Sequence, residues 1–93
     1  MSKSEALYER MRSAIQRGDH ALMWEISEDS DYDVNREDKG GLGRVALHTA
    51  VQKNDQEALK ILLSLSRVEV NKRTAKGMTP ALLAAERGKA EAL

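Results

Sequence analysis

Four groups of residues have types and spacings that suggest chemistry. Asp29-x-Asp31-x-Asp33-x-Asn35 places oxygen donors at alternate positions, as a calcium loop does. Such a loop needs glycine at its sixth position and a bidentate glutamate at its twelfth, and here those positions are Val34 and Gly40. The stretch therefore reads as a solvated acidic loop. Gly41-x-Gly43-x-x-Ala46 has the glycine spacing of a dinucleotide fingerprint, but that motif follows a buried strand, and Arg36-Glu37-Asp38-Lys39 is none. His20 and His48 are the two histidines, and the chain has no cysteine. This argues against a structural zinc site and leaves no thiolate nucleophile. No phosphate-binding P-loop, nucleophile elbow or HExxH pattern occurs, and no Ser or Thr is paired by motif with a histidine and an acid. The expectation is a protein with no catalytic site, no metal and no cofactor.

Arg67, Lys72, Arg73, Lys76, Arg87 and Lys89 make the second half basic. Single-strand binders add stacking aromatics to such a groove, and this half has none. The formal net charge is +0, which also disfavours nucleic acid as a partner. Charge is nevertheless uneven. Residues 1–38 hold 5 basic and 10 acidic side chains, and residues 39–93 hold 10 and 5. That asymmetry can steer a partner or a second copy of the chain.

The elements that position these groups follow from composition and periodicity. A length of 93 residues allows one domain. Alanine (12) and leucine (11) dominate the apolar residues while aromatics are 3%, which suits closely packed helices and not a β-sandwich. No apolar run reaches the roughly 18 residues of a membrane span. Absence of cysteine and of a signal-type leader points to an intracellular protein, cytoplasmic or nuclear. Helices are expected at about 4–17, from Asp19 to the acidic turn near Asp29, at 45–53, at 56–65, and from Thr79-Pro80 to Arg87. Ser2 with Glu5, Asp19, Asp55 and Thr79 supply the N-terminal caps. Gly18, Asn54 and Gly88 supply left-handed stops.

These signals recur. Gly18, Asn54 and Gly88 are spaced by 36 and 34, as are Ala14, Ala50 and Ala84. Val34-Asn35 and Val70-Asn71 are 36 apart. A unit of helix, tight turn, helix and long loop, about 33 residues long, accounts for all of them.

The repeating unit resembles the ankyrin repeat family. Gly43-Arg44-Val45-Ala46-Leu47-His48-Thr49-Ala50-Val51-Gln52-Lys53-Asn54-Asp55 matches one copy, with Ile61-Leu62-Leu63 and Val68-Glu69-Val70-Asn71 after it. Gly77-Met78-Thr79-Pro80-Ala81-Leu82-Leu83-Ala84-Ala85-Glu86-Arg87-Gly88 matches the next. The first copy keeps Gly18-Asp19-His20 and Asp33-Val34-Asn35. Val45-Ala46 stands where the family has Thr-Pro, Ala81-Leu82 where it has Leu-His, and two extra residues lengthen the Lys39–Leu42 loop.

The resemblance implies an all-α, ankyrin-like solenoid of stacked helix–turn–helix units with projecting loops or β-turn fingers. Its divisions are repeat 1 at about 4–37, repeat 2 at 38–73 and a partial repeat 3 at 74–93. It implies a non-enzymatic scaffold that binds a protein through its fingers and the concave face of its first helices. Carried over by position, the binding residues are Glu37, Asp38, Lys39, Leu42, Arg44, Gln52 and Lys53, then Arg73, Lys76, Met78, Glu86 and Arg87. His48 is expected to tie the turn by hydrogen bonds. Ala14, Ala50, Ala84 and Ala85 are expected to let helices approach, and Leu59, Leu62 and Leu63 to form the buried stripe. Trp24 falls on a normally exposed register position, so either its helix is rotated inward or it is a surface anchor, with Tyr8 and Tyr32 bordering it. Leu82, Leu83 and Leu93 lack cover in a truncated last repeat, which suggests a piece of a longer array or head-to-tail self-association; the second alternative is a regulatory or targeting segment of a larger polypeptide.

Overall fold

The computed structural model describes residues 2–92, with side chains described for residues 2–88. Five helices follow one another: α1 (Lys3–Arg17), α2 (His20–Ser27), α3 (Ala46–Gln52), α4 (Gln56–Leu63) and α5 (Pro80–Ala92). No strand occurs among the described residues. Helices α1 and α2 pack as an antiparallel pair, and so do α3 and α4. Across pairs, α1 meets α3, α3 meets α5, and α2 meets α4. The first helices thus form one row and the second helices another, in a body of 42 × 26 × 23 Å.

Four of the five helices start on a side-chain cap; α3 starts after Val45, whose side chain caps nothing and whose amide donates to His48 Nδ1 instead. Oxygens of Ser2, Asp19, Asp55 and Thr79 accept from the amides of Glu5, Leu22, Ala58 and Leu82 at 3.0–3.2 Å. Each satisfies one amide that the first turn would leave unbonded. Pro80 follows Thr79 at the first helical position, where a missing amide hydrogen costs nothing. Gly18 ends α1 at φ 67°, and Asn54 makes the same turn after α3 at φ 53°. In both, the next residue is the aspartate that caps the following helix, so stop and start are coupled in two residues.

Gly88 does not repeat this turn. Helix α5 runs through it to Ala92. Lys89 follows, and a lysine has no oxygen to cap a new helix. Inside a helix, glycine costs only about 1 kcal/mol relative to alanine.

One cluster holds the core. It comprises Leu7, Met11, Ala14 and Ile15 of α1, Met23 and Ile26 of α2, Leu47 and Ala50 of α3, and Ala58, Ile61 and Leu62 of α4, with Tyr32, Val34 and Val45 from the loops. Ala14 and Ala50 are sealed, as expected of residues where helices approach. Ala84 and Ala85 are exposed instead, because α5 lies on α3 by its other side. The apolar stripe of α4 also differs from expectation. Ala58, Ile61 and Leu62 share one face at helical spacing and are 0% exposed, whereas Leu63 lies one residue further round and is 50% exposed. Leu82 is exposed, Leu83 is half-buried, and Leu93 lies outside the described residues.

Candidate functional site

Two turns project from the helix rows. In the first, the Asp38 amide donates to the Arg44 carbonyl at 2.8 Å; in the second, the Thr74 amide donates to the Met78 carbonyl, also at 2.8 Å. The first turn encloses two more residues than the second, which is where the Lys39–Leu42 insertion lies. The turns stack. The Ala75 amide donates to the Leu42 carbonyl at 2.8 Å. Gly43, at φ 69°, lies so close that a Cβ there would be 3.0 Å from the Ala75 nitrogen.

His48 anchors the second turn from below. It is completely buried. The Val45 amide donates to its Nδ1 at 3.1 Å, so that nitrogen is the acceptor and Nε2 carries the proton. Nε2 then donates to the Lys72 carbonyl at 2.8 Å and the Met78 carbonyl at 3.1 Å, holding both ends of the turn. The histidine is fully occupied by backbone.

Of the residues named from the sequence, Asp38, Arg44, Gln52 and Lys53 come together. They line a cleft of about 170 Å³ between α1 and α3. The Asp38 carboxylate accepts from the Arg44 amide at 3.2 Å and pairs with its guanidinium at 3.3 Å. Arg44 also reaches Gln52 at 3.5 Å, and Lys53 reaches Gln16 of α1 at 3.4 Å. Met11, Ile15, Tyr32 and Val45 form an apolar floor.

The other expected residues do not join this cleft. Glu37 pairs with Lys72 at 3.1 Å and borders a shallow surface with Arg73. Lys39 pairs with Glu5 of α1 at 3.4 Å. Leu42 is 45% exposed on the first turn. Lys76 and Met78 belong to the second turn, where Arg73 bonds the Gly77 carbonyl at 3.2 Å. Glu86 and Arg87 are exposed on α5.

The α1 side of the cleft, Tyr8, Arg12 and Gln16, was not among the expected site residues. The available signal was the repeat register, since Gln16 lies 36 residues before Gln52. Burial pushes Tyr32 well above the ordinary tyrosine range; burial, then the nearby Asp38 charge, pushes Tyr8 up. Tyr8 and Tyr32 line the cleft, and Trp24, 44% exposed on α2, does not.

The acidic stretch at 29–35 is taken up by local structure. Asp29 and Asp33 accept from the amides of Asp31 and Asn35 at 2.9 Å. Lys3 pairs with Asp29 at 3.4 Å and with Asp31 at 3.0 Å.

Paired helices in two rows, stacked turns and a buried histidine under the second turn are the features of one repeat architecture. A family model for ankyrin repeats matches residues 11–93 in three copies. The chain belongs to the ankyrin repeat family. No curated protein matches it. Ankyrin repeats are in general protein-interaction modules. No helix among the described residues of this ankyrin chain is long and apolar enough to cross a membrane. No group of three or more His, Asp or Glu side chains among those residues is placed to hold a metal ion.

Proposed function

We propose that this ankyrin chain is a non-enzymatic scaffold that binds a protein partner through its two projecting turns and the face of its first helices. The observation that carries the reading is the division of labour between His48 and the side chains around it. The buried histidine bonds only backbone and braces the second turn from inside the chain, so the exposed side chains of the turns are held in place as a surface for a partner. Asp38, Arg44, Gln52 and Lys53 around the cleft, Leu42 and Met78 on the turns, and Glu86 and Arg87 on α5 form a mixed-charge surface with two apolar tips. Such composition suits a polar protein surface. Glu37, Lys39, Arg73 and Lys76 belong to the rim of the same surface.

Proximity crosslinking of the tagged chain in cells tests this. A protein captured by the native chain and lost with both Leu42→Asp and Lys53→Glu supports the assignment. Capture that is indifferent to both substitutions, in variants of unchanged helicity, rejects it.

A further inference from the structure

The cleft between α1 and α3 is selective in charge. Three bases, Arg12, Arg44 and Lys53, line it against one acid, Asp38. The Arg44 guanidinium, paired with Asp38 at 3.3 Å and reaching Gln52 at 3.5 Å, forms part of the rim that an incoming carboxylate meets. Below this rim lies the apolar floor. The volume of about 170 Å³ is comparable to the roughly 150 Å³ cavity that admits a benzene ring. The chemistry that fits is an aromatic side chain flanked by carboxylates, with a guanidinium available to its π face.

The chain itself displays that combination. Ala21, Trp24 and Glu25 are exposed on the outer face of α2, and Glu28, the C-terminal cap residue of the helix, is exposed after them. Trp24 is the only tryptophan, 44% exposed, with Glu25 beside it and Glu28 one helical turn on. Neither glutamate forms an ion pair among the described residues. The lining's three bases and one acid, with Glu9 pairing Arg12 at 3.6 Å, leave a net positive rim to meet two glutamates around an aromatic anchor.

We propose that the exposed face of α2 docks into the α1–α3 cleft of a second copy of this chain, with Trp24 as the anchor. The two surfaces differ, so each copy offers one of each, and the contact builds rings or open chains of copies. The proposal rests on the reading that the cleft is a binding surface and goes beyond it in naming the occupant. The complex is weak, because a single anchor and a few rim charges carry it.

Sedimentation equilibrium of the full chain, from about 10 µM to about 1 mM, tests the proposal. Fluorescence of the single tryptophan is read on the same samples. The expected result is a mass that grows with concentration and falls at high salt, with Trp24 emission shifting to shorter wavelength as mass rises. Trp24→Ala weakens association at least about tenfold with helicity unchanged. Glu25→Lys/Glu28→Lys and Arg12→Glu/Lys53→Glu each abolish association alone, and mixing the two variants restores it. A monomer at every concentration overturns the proposal, as does association that survives Trp24→Ala. Association lost only on polar substitution of Leu63 and Leu82 also overturns it and assigns self-contact to the α4–α5 side. Capture of a cellular partner through Leu42 and Lys53 is scored separately, with Trp24→Ala as the background, so the two readings fail independently.

Discussion

His20 and Asp55 join the first helix pair to the second. The Nε2 of His20, at the start of α2, lies 2.9 Å from both carboxylate oxygens of Asp55, which also caps α4 through the Ala58 amide. One carboxylate therefore serves a helix start and a contact between repeats. Burial alone would raise its pKa, but the His20 hydrogen bond and the amides of Ala58 and Glu57 outweigh it and hold the carboxyl below the ordinary value of 3.8.

That shift has a sign in stability. An acid whose pKa is lowered on folding stabilises the folded state above its unfolded value, and the contribution is lost as pH falls through the folded value. The urea midpoint is therefore expected to drop as pH is lowered below 3.8. Asn is a good N-cap that does not titrate, so Asp55→Asn should keep the α4 start and flatten this acid limb. Asp29, also held low by the Asp31 amide and by Lys3, titrates in both proteins, so the difference between the two curves isolates Asp55. Superimposable curves would refute the assignment.

Removal of the His48 ring leaves a buried amide and relaxes two carbonyls at the ends of the second turn. A stranded buried polar group costs about 1–3 kcal/mol, and the cavity adds to it. His48→Ala is expected to destabilise the chain by about 3 kcal/mol in urea unfolding. Exchange of the Gly77 and Met78 amides should accelerate with it. A loss below about 0.5 kcal/mol, as for a surface substitution, would mean that the turn does not depend on His48.

Gly43 and Gly18 share a left-handed backbone, at φ 69° and 67°, but not a neighbourhood. A methyl group at Gly18 meets open space, while one at Gly43 meets the Ala75 and Thr74 backbone. Alanine in this region costs about 1–2 kcal/mol of backbone strain. Gly18→Ala should show little more than that. Gly43→Ala should exceed it by about 1 kcal/mol or more, because the opposing backbone has no flexible end to yield. Equal losses at the two positions would show that the turns are not pressed together.

Much of this molecule is local and therefore legible in sequence. Caps at Ser2, Asp19, Asp55 and Thr79 and the Gly18 and Asn54 turns each depend on residues within one turn of chain. Short-range hydrogen bonds and steric limits on φ determine them without tertiary context. The two extra residues of the first turn were visible for the same reason.

Other features depend on what lies opposite. Gly88 carries the same stop signal as Gly18, yet α5 continues through it, since a helix turns back only where the next one is capped and packed. Leu63 reads as core in a pattern of consecutive leucines, but a helix has one face against its neighbour, and Ile61 took that place. Tyr8, Arg12 and Gln16 became cleft walls only because α1 lies against α3. Sequence by itself determined the elements, their repeat and the family, because those are set by neighbours in the chain. Tertiary structure decided which side chains are covered and which charges share a cleft, because burial and Coulomb energy depend on distances between residues some 36 positions apart.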